Sequence, residues 1–117
     1  MVASDHAPLG GRSLDVAWFR RELEHERQFR LEQLASLSYD VDGPYSVALD
    51  EVRAMLMAGA RRALAEIDAA LLRLSRGTFG GCERCGRRIP GHRLAAIPTI
   101  RQCLPCERSQ THHDIGG

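Results

Sequence analysis

Apolar positions recur every three or four residues through most of residues 13–76, in two runs separated by a polar break. The first run, Val16, Phe19, Leu23, Leu31, Leu34 and Leu37, predicts a helix with Ser13 as its N-cap. Asp15 then falls in the first turn, where the helix dipole favours an acid. The middle of this run, residues 22–30, is densely charged, so its apolar stripe is thin and the helix needs a partner. The second run is more regular. Leu49, Val52, Leu56, Ala60, Ala63, Ile67, Leu71 and Leu74 make a heptad-like seam. It predicts a helix from about Pro44 to Arg76, with Pro44 in the first turn and Gly77 just past the last. Between the two lies Ser38 to Ser46, broken by Gly43-Pro44. Two long helices joined by a short turn form an antiparallel hairpin, with the turn at one end and the C-terminal third at the other. Periodicity alone also allows half of a helical bundle that dimerises through the second seam.

Composition narrows the picture. A chain of 117 residues holds one domain or two small modules. Three Phe, two Tyr and one Trp predict thin helical packing reinforced by a local staple. No apolar run approaches the ~20 residues that span a bilayer, and Met1 to Pro8 lacks a basic segment followed by an apolar one. A cytoplasmic protein with no membrane partner is expected. The net charge of +1 argues against nucleic-acid binding held by bulk electrostatics. Charge is unevenly placed, however: residues 38–52 hold four acids and no base, and residues 77–117 hold six Arg against three acids.

All four cysteines lie in one segment, Cys82-Glu-Arg-Cys85 and, 17 residues later, Cys103-Leu-Pro-Cys106. Paired CxxC knuckles at this separation have the spacing of a tetrathiolate zinc site, because two intervening residues let a tight turn aim both sulfurs at one ion. Gly86 directly after Cys85 permits the dihedral such a knuckle needs. A disulfide framework would need an oxidising compartment. An iron–sulfur cluster is chemically possible, but the spacing favours zinc. A redox CxxC would belong to a βαβ unit, which is absent. Four protein ligands leave no open position, so one structural Zn2+ is expected and no hydrolytic chemistry.

Arg84, Arg87, Arg88, Arg93 and Arg101 surround these cysteines and offset the thiolate charge. Of these, Arg87, Arg88 and Arg93 are candidates for contact with a partner, against the simpler reading of a solvated basic face. His25, His92, His112 and His113 are not needed as ligands. No nucleophile elbow, phosphate-binding glycine loop or HExxH motif is present, so an enzyme is not expected.

The run Phe79-Gly80-Gly81-Cys82-Glu-Arg-Cys85-Gly86, then Ile89, Arg93-Leu94, Ala96, Pro98-Thr99, Cys103 and Cys106, resembles the DksA/TraR-type zinc finger family. With the hairpin before it, the resemblance extends back to about residue 20. It implies a mainly α architecture: an antiparallel coiled-coil hairpin over 13–76 with its tip at about 38–46, and a small C4 module over 77–111 ending in a short helix. Residues 1–12 and 112–117 would be tails. It further implies a bacterial transcription regulator that binds RNA polymerase without reading DNA sequence. The hairpin would enter the secondary channel, with acids at its tip acting near the catalytic magnesium.

Counted back from Cys82, the family's tip motif (Asp, two residues, Asp, one residue, Ala) falls on Tyr39, Asp42 and Pro44. Only Asp42 matches; Asp40 supplies the first acid after a one-residue slip. Positions that are basic in ppGpp-binding members correspond to Glu66, Ile97 and Glu107, so ppGpp binding of that kind is not expected. The alternative reading is a zinc-stabilised DNA- or protein-binding module that uses its Arg-rich finger.

Overall fold

The computed structural model describes residues 14–38 and 46–109. Three helices follow in order: α1 (Val16–Leu37), α2 (Ser46–Arg76) and α3 (Gly91–Ala96). Residues 104–109 are also helical. Ser13, Pro44 and the turn that carries Asp40 and Asp42 lie outside the described residues. Among the described residues there is no strand, only an isolated antiparallel bridge between Gly81 and Arg88. No helix among them is long and apolar enough to cross a membrane.

The N-terminal end of α1 corrects the expectation. Asp15 is the N-cap rather than a first-turn acid: its Oδ1 accepts the Trp18 N–H at 3.0 Å. At the other end of the hairpin base, α2 stops before Gly77, as its sequence predicts. Thr78 N–H donates back to the Arg73 carbonyl at 2.9 Å and satisfies a carbonyl the helix leaves open.

α1 and α2 run antiparallel. Phe19 shares a core with Leu74, and further along Arg27 reaches Asp68 at 2.7 Å. The seam of α2 is buried only in its second half. Ala60, Ile67, Ala70 and Leu74 are buried, while Leu49, Val52 and Leu56 stay 44–49% exposed. On α1, one and two turns beyond Leu23, Arg30 pairs with Glu26 and Arg27 with Asp68 alongside the buried half of that seam. Beyond them on α1, Gln33, Leu34 and Leu37 are half-buried.

The centre of the fold is therefore the junction of hairpin and C-terminal third. Phe19, Leu23, Ile67, Ala70 and Leu74 from the helices close against Cys82, Ile89, Leu94, Ile100 and Cys103 in one cluster. Three of the chain's six aromatics meet here. Phe19 meets Trp18 edge to face and Phe79 at a tilt, each with 4.9 Å between ring centroids.

Gly80 sits at the tightest point of this junction, with φ of +91°. A Cβ there would come within 2.7 Å of Leu14 Cδ1. Gly80→Ala thus combines a left-handed backbone with a side-chain collision, and it should lower stability by roughly 1–3 kcal/mol. Chemical denaturation of the zinc-loaded protein measures this. A variant as stable as wild type would mean that the Leu14 contact yields freely and the turn is unstrained.

Candidate metal centre

The two knuckles are built by short-range backbone hydrogen bonds. Cys82 N–H donates to the Arg87 carbonyl at 2.8 Å and Gly86 N–H to the Cys82 carbonyl at 2.9 Å, closing the first turn around Gly86 (φ +79°). Ile89 N–H donates to the Gly80 carbonyl at 2.8 Å and sets the return of the chain. α3 then packs its fully buried Leu94 beneath both knuckles. The chain turns at Ile97 to Ile100 and delivers Cys103 to the start of the helical stretch 104–109, where the Cys103 carbonyl accepts the Glu107 N–H. A direct bond from Glu83 N–H to the Arg101 carbonyl, 2.9 Å, ties the two knuckles together.

The result is a single cluster. The sulfurs of Cys82, Cys85, Cys103 and Cys106 all lie within 4.8 Å of one another, and all four are free thiols. Cys85 and Cys103 are 3.6 Å apart, too far for a disulfide and close to a coordination edge. A tetrahedral centre with Zn–S bonds of about 2.3 Å has sulfur–sulfur edges of about 3.8 Å, so the ion fits with inward shifts of about 1 Å at most. Cys82 and Cys103 are buried, Cys106 is partly buried and Cys85 is exposed.

The four thiols cannot ionise independently. Burial opposes the Cys82 thiolate, yet the N–H groups of Cys103, Cys85 and Arg84 together outweigh it and bring the thiol down to about 6. Cys106 moves the other way, up to about 12, chiefly because of its hydrogen bond with Cys103 and its burial. A bound dication would favour all four thiolates and displace the remaining protons, and with every position taken by a protein ligand it would act as a structural staple.

The surrounding charges divide into two sets. Arg101 donates to Glu66 of α2 at 2.8 Å and lies 3.7 Å from Glu83; the carboxylates hold its guanidinium above its usual range. Arg73 of α2 reaches Glu83 at 3.4 Å, and its burial draws it below that range. Arg93 pairs with Glu107 at 3.4 Å, its side chain 20% exposed. Arg93 is thus engaged within the chain, whereas Arg87 and Arg88 are exposed and form no ion pair among the described residues. Arg84 and Arg108 share that condition. The Glu66–Arg101–Glu83–Arg73 relay went unread in the sequence, because its partners stand 10 to 35 residues apart with no local pattern to mark them. His25 and His92 are exposed and outside the cluster, while His112 and His113 fall beyond the described residues.

Comparison with known proteins agrees with this geometry. Residues 77–112 match the family model of the prokaryotic dksA/traR C4-type zinc finger. An uncharacterised protein of Aquifex aeolicus (strain VF5) is 56% identical over 43 residues, covering 37% of this chain and 30% of that protein. General stress protein 16O of Bacillus subtilis (strain 168) is 38% identical over 47 residues, covering 40% of this chain and 29% of that protein. The matched stretch thus spans less than a third of either relative's length. Among solved structures, the transcription factor DksA2 from Pseudomonas aeruginosa superposes with a TM-score of 0.59 at 26% identity. That match covers 85% of this chain and 79% of that one. The agreement of cysteine geometry, finger sequence and hairpin fold makes residues 77–112 a C4 zinc finger of the prokaryotic DksA/TraR family, mounted on a DksA-like helical hairpin.

Proposed function

We propose that this chain is a transcription regulator that binds RNA polymerase directly, with its helical hairpin inserted in the secondary channel and its zinc finger docked at the rim. The observation that carries this reading is the shared core of finger and hairpin. Phe19, Leu23 and Leu74 are buried in one cluster with the finger residues Ile89 and Leu94, so the metal centre fixes the direction in which the rod projects.

 Leu94 is fully buried in that junction and Ile89 nearly so. The likeness to DksA2 over most of both chains supports the same reading. Asp42 is the residue assigned to the effector tip, with Asp40 in support, and no DNA sequence is read.

The same reading predicts no response to ppGpp through this chain. Two of the positions that would need basic side chains carry Glu66 and Glu107, and these already hold Arg101 and Arg93 in ion pairs. The third, Ile97, offers no charge at all. A polyphosphate arriving there meets guanidiniums that are already neutralised.

Pull-down of core RNA polymerase, read beside in vitro transcription, tests the proposal. Wild type should bind and change transcript yield. Asp42→Ala should lose most of the transcriptional effect while keeping binding within about twofold, since one exposed charge contributes little to affinity. ppGpp should leave the binding isotherm unchanged. Failure of wild type to bind polymerase overturns the proposal, and equal loss of binding and regulation in Asp42→Ala overturns the assignment of the tip.

A further inference from the structure

The acids of the described finger are spent inward. Glu83 faces Arg73 and Arg101, and Glu107 faces Arg93. That leaves Arg84, Arg87, Arg88 and Arg108 exposed, with no ion pair among the described residues. Arg84 and Arg87 rim one concavity of about 280 Å³ beside Cys85, Pro105 and Ser109. The metal does not absorb this charge. Four thiolates and one dication sum to −2, against four guanidiniums at +4, which leaves an excess of +2 on this face.

We infer that this outward face of the finger is a docking surface for a carboxylate-rich patch on a protein partner, with Arg84, Arg87 and Arg88 as its principal contacts. The inference rests on the reading that the partner is RNA polymerase, and it names the chemistry by which the finger end is held. The guanidinium fork suits carboxylate and phosphate alike, so charge elsewhere on the chain selects between them. Residues 38–52 carry Asp40, Asp42, Asp50 and Glu51 with no base, Asp50 pairing with Arg53 at 2.9 Å, and the whole chain nets only +1. A rod acidic at one end is repelled by a continuous polyanion. It suits a protein surface that offers acidic and basic patches in different places.

The test is a binding titration of zinc-loaded full chain against core RNA polymerase at two salt concentrations. The variants are Arg84→Gln/Arg87→Gln/Arg88→Gln and, as a control that removes two positive charges from α1 rather than from the finger, Arg20→Gln/Arg21→Gln. Zinc content and circular dichroism confirm that each variant is folded; should the triple variant lose zinc, the single substitutions Arg87→Gln and Arg88→Gln carry the test. The triple variant should bind on the order of tenfold more weakly and with a shallower salt dependence, while the control stays within about twofold. Wild-type affinity in a zinc-loaded triple variant overturns this inference and leaves the polymerase reading standing. Absence of wild-type binding overturns both. A parallel titration with a 30-base-pair duplex should show no binding that the triple variant abolishes; if it does, the surface takes phosphates and the assignment to a protein carboxylate patch is wrong.

Discussion

Removing zinc unfolds the finger and loosens the base of the hairpin with it. Structural zinc contributes an apparent ~10–16 kcal/mol in finger peptides near neutral pH, more than the whole stability of most domains of this size. Here the metal's ligands belong to the core itself. Cys82 and Cys103 lie in the same buried cluster as Phe19, Ile67 and Leu74. Chelation should therefore collapse the dispersed amide signals of residues 77–109 in a heteronuclear NMR spectrum and also those of residues 16–23. Cys103→Ser should behave as the chelated protein does. Retention of the native spectrum in a demonstrably metal-free sample would refute this.

The pH dependence has a definite sign. Metal-bound thiolates carry fewer protons than the thiols of the unfolded chain, so stability rises with pH and is lost on acidification. Cys82 is poised at about 6 even before metal arrives, below its ordinary 9.0. Its contribution is complete above about 9 and disappears as the pH falls through about 6. Cys106, raised to about 12, acts oppositely in the metal-free chain, favouring the fold below about 9 and losing that contribution as the pH climbs through about 12. Zinc release followed with a chromogenic indicator should therefore increase steeply between pH 7 and 5.

Phe19→Ala should cost about 3–5 kcal/mol, the range for removing a fully buried ring. Phe19 is completely buried and touches both other aromatics of the junction, Trp18 and Phe79. A thermal melt of the zinc-loaded variant should show a midpoint lower by on the order of 15 °C. Phe29→Ala, on the same helix but 55% exposed, should shift it hardly at all. Equal midpoints for the two variants would mean that Phe19 is not the link between hairpin and finger.

Local chemistry was legible in the chain. The CxxC pairs named the four cysteines that the fold brings within 4.8 Å of one another, because each pair spans only four consecutive residues. The three-and-four spacing of leucines and alanines named both long helices, because helical periodicity is a property of neighbours. The end of α2 at Gly77 followed from the same local signals. The cap of α1 did not, since Ser13 and Asp15 are both good caps and only the position of Trp18 N–H chooses between them.

What the chain left open were matters of distance. Nothing in the spacing of the α2 seam says that Leu49, Val52 and Leu56 stay exposed while Ile67 and Leu74 are buried. That depends on what packs over each part of the seam in space: the base of α1 and the finger close over Ile67 and Leu74. Nor does composition say which arginines are free. Arg93 and Arg101 read like Arg87 and Arg88 until folding brings Glu107 and Glu66 against them, because an ion pair depends on separation in space and not along the chain.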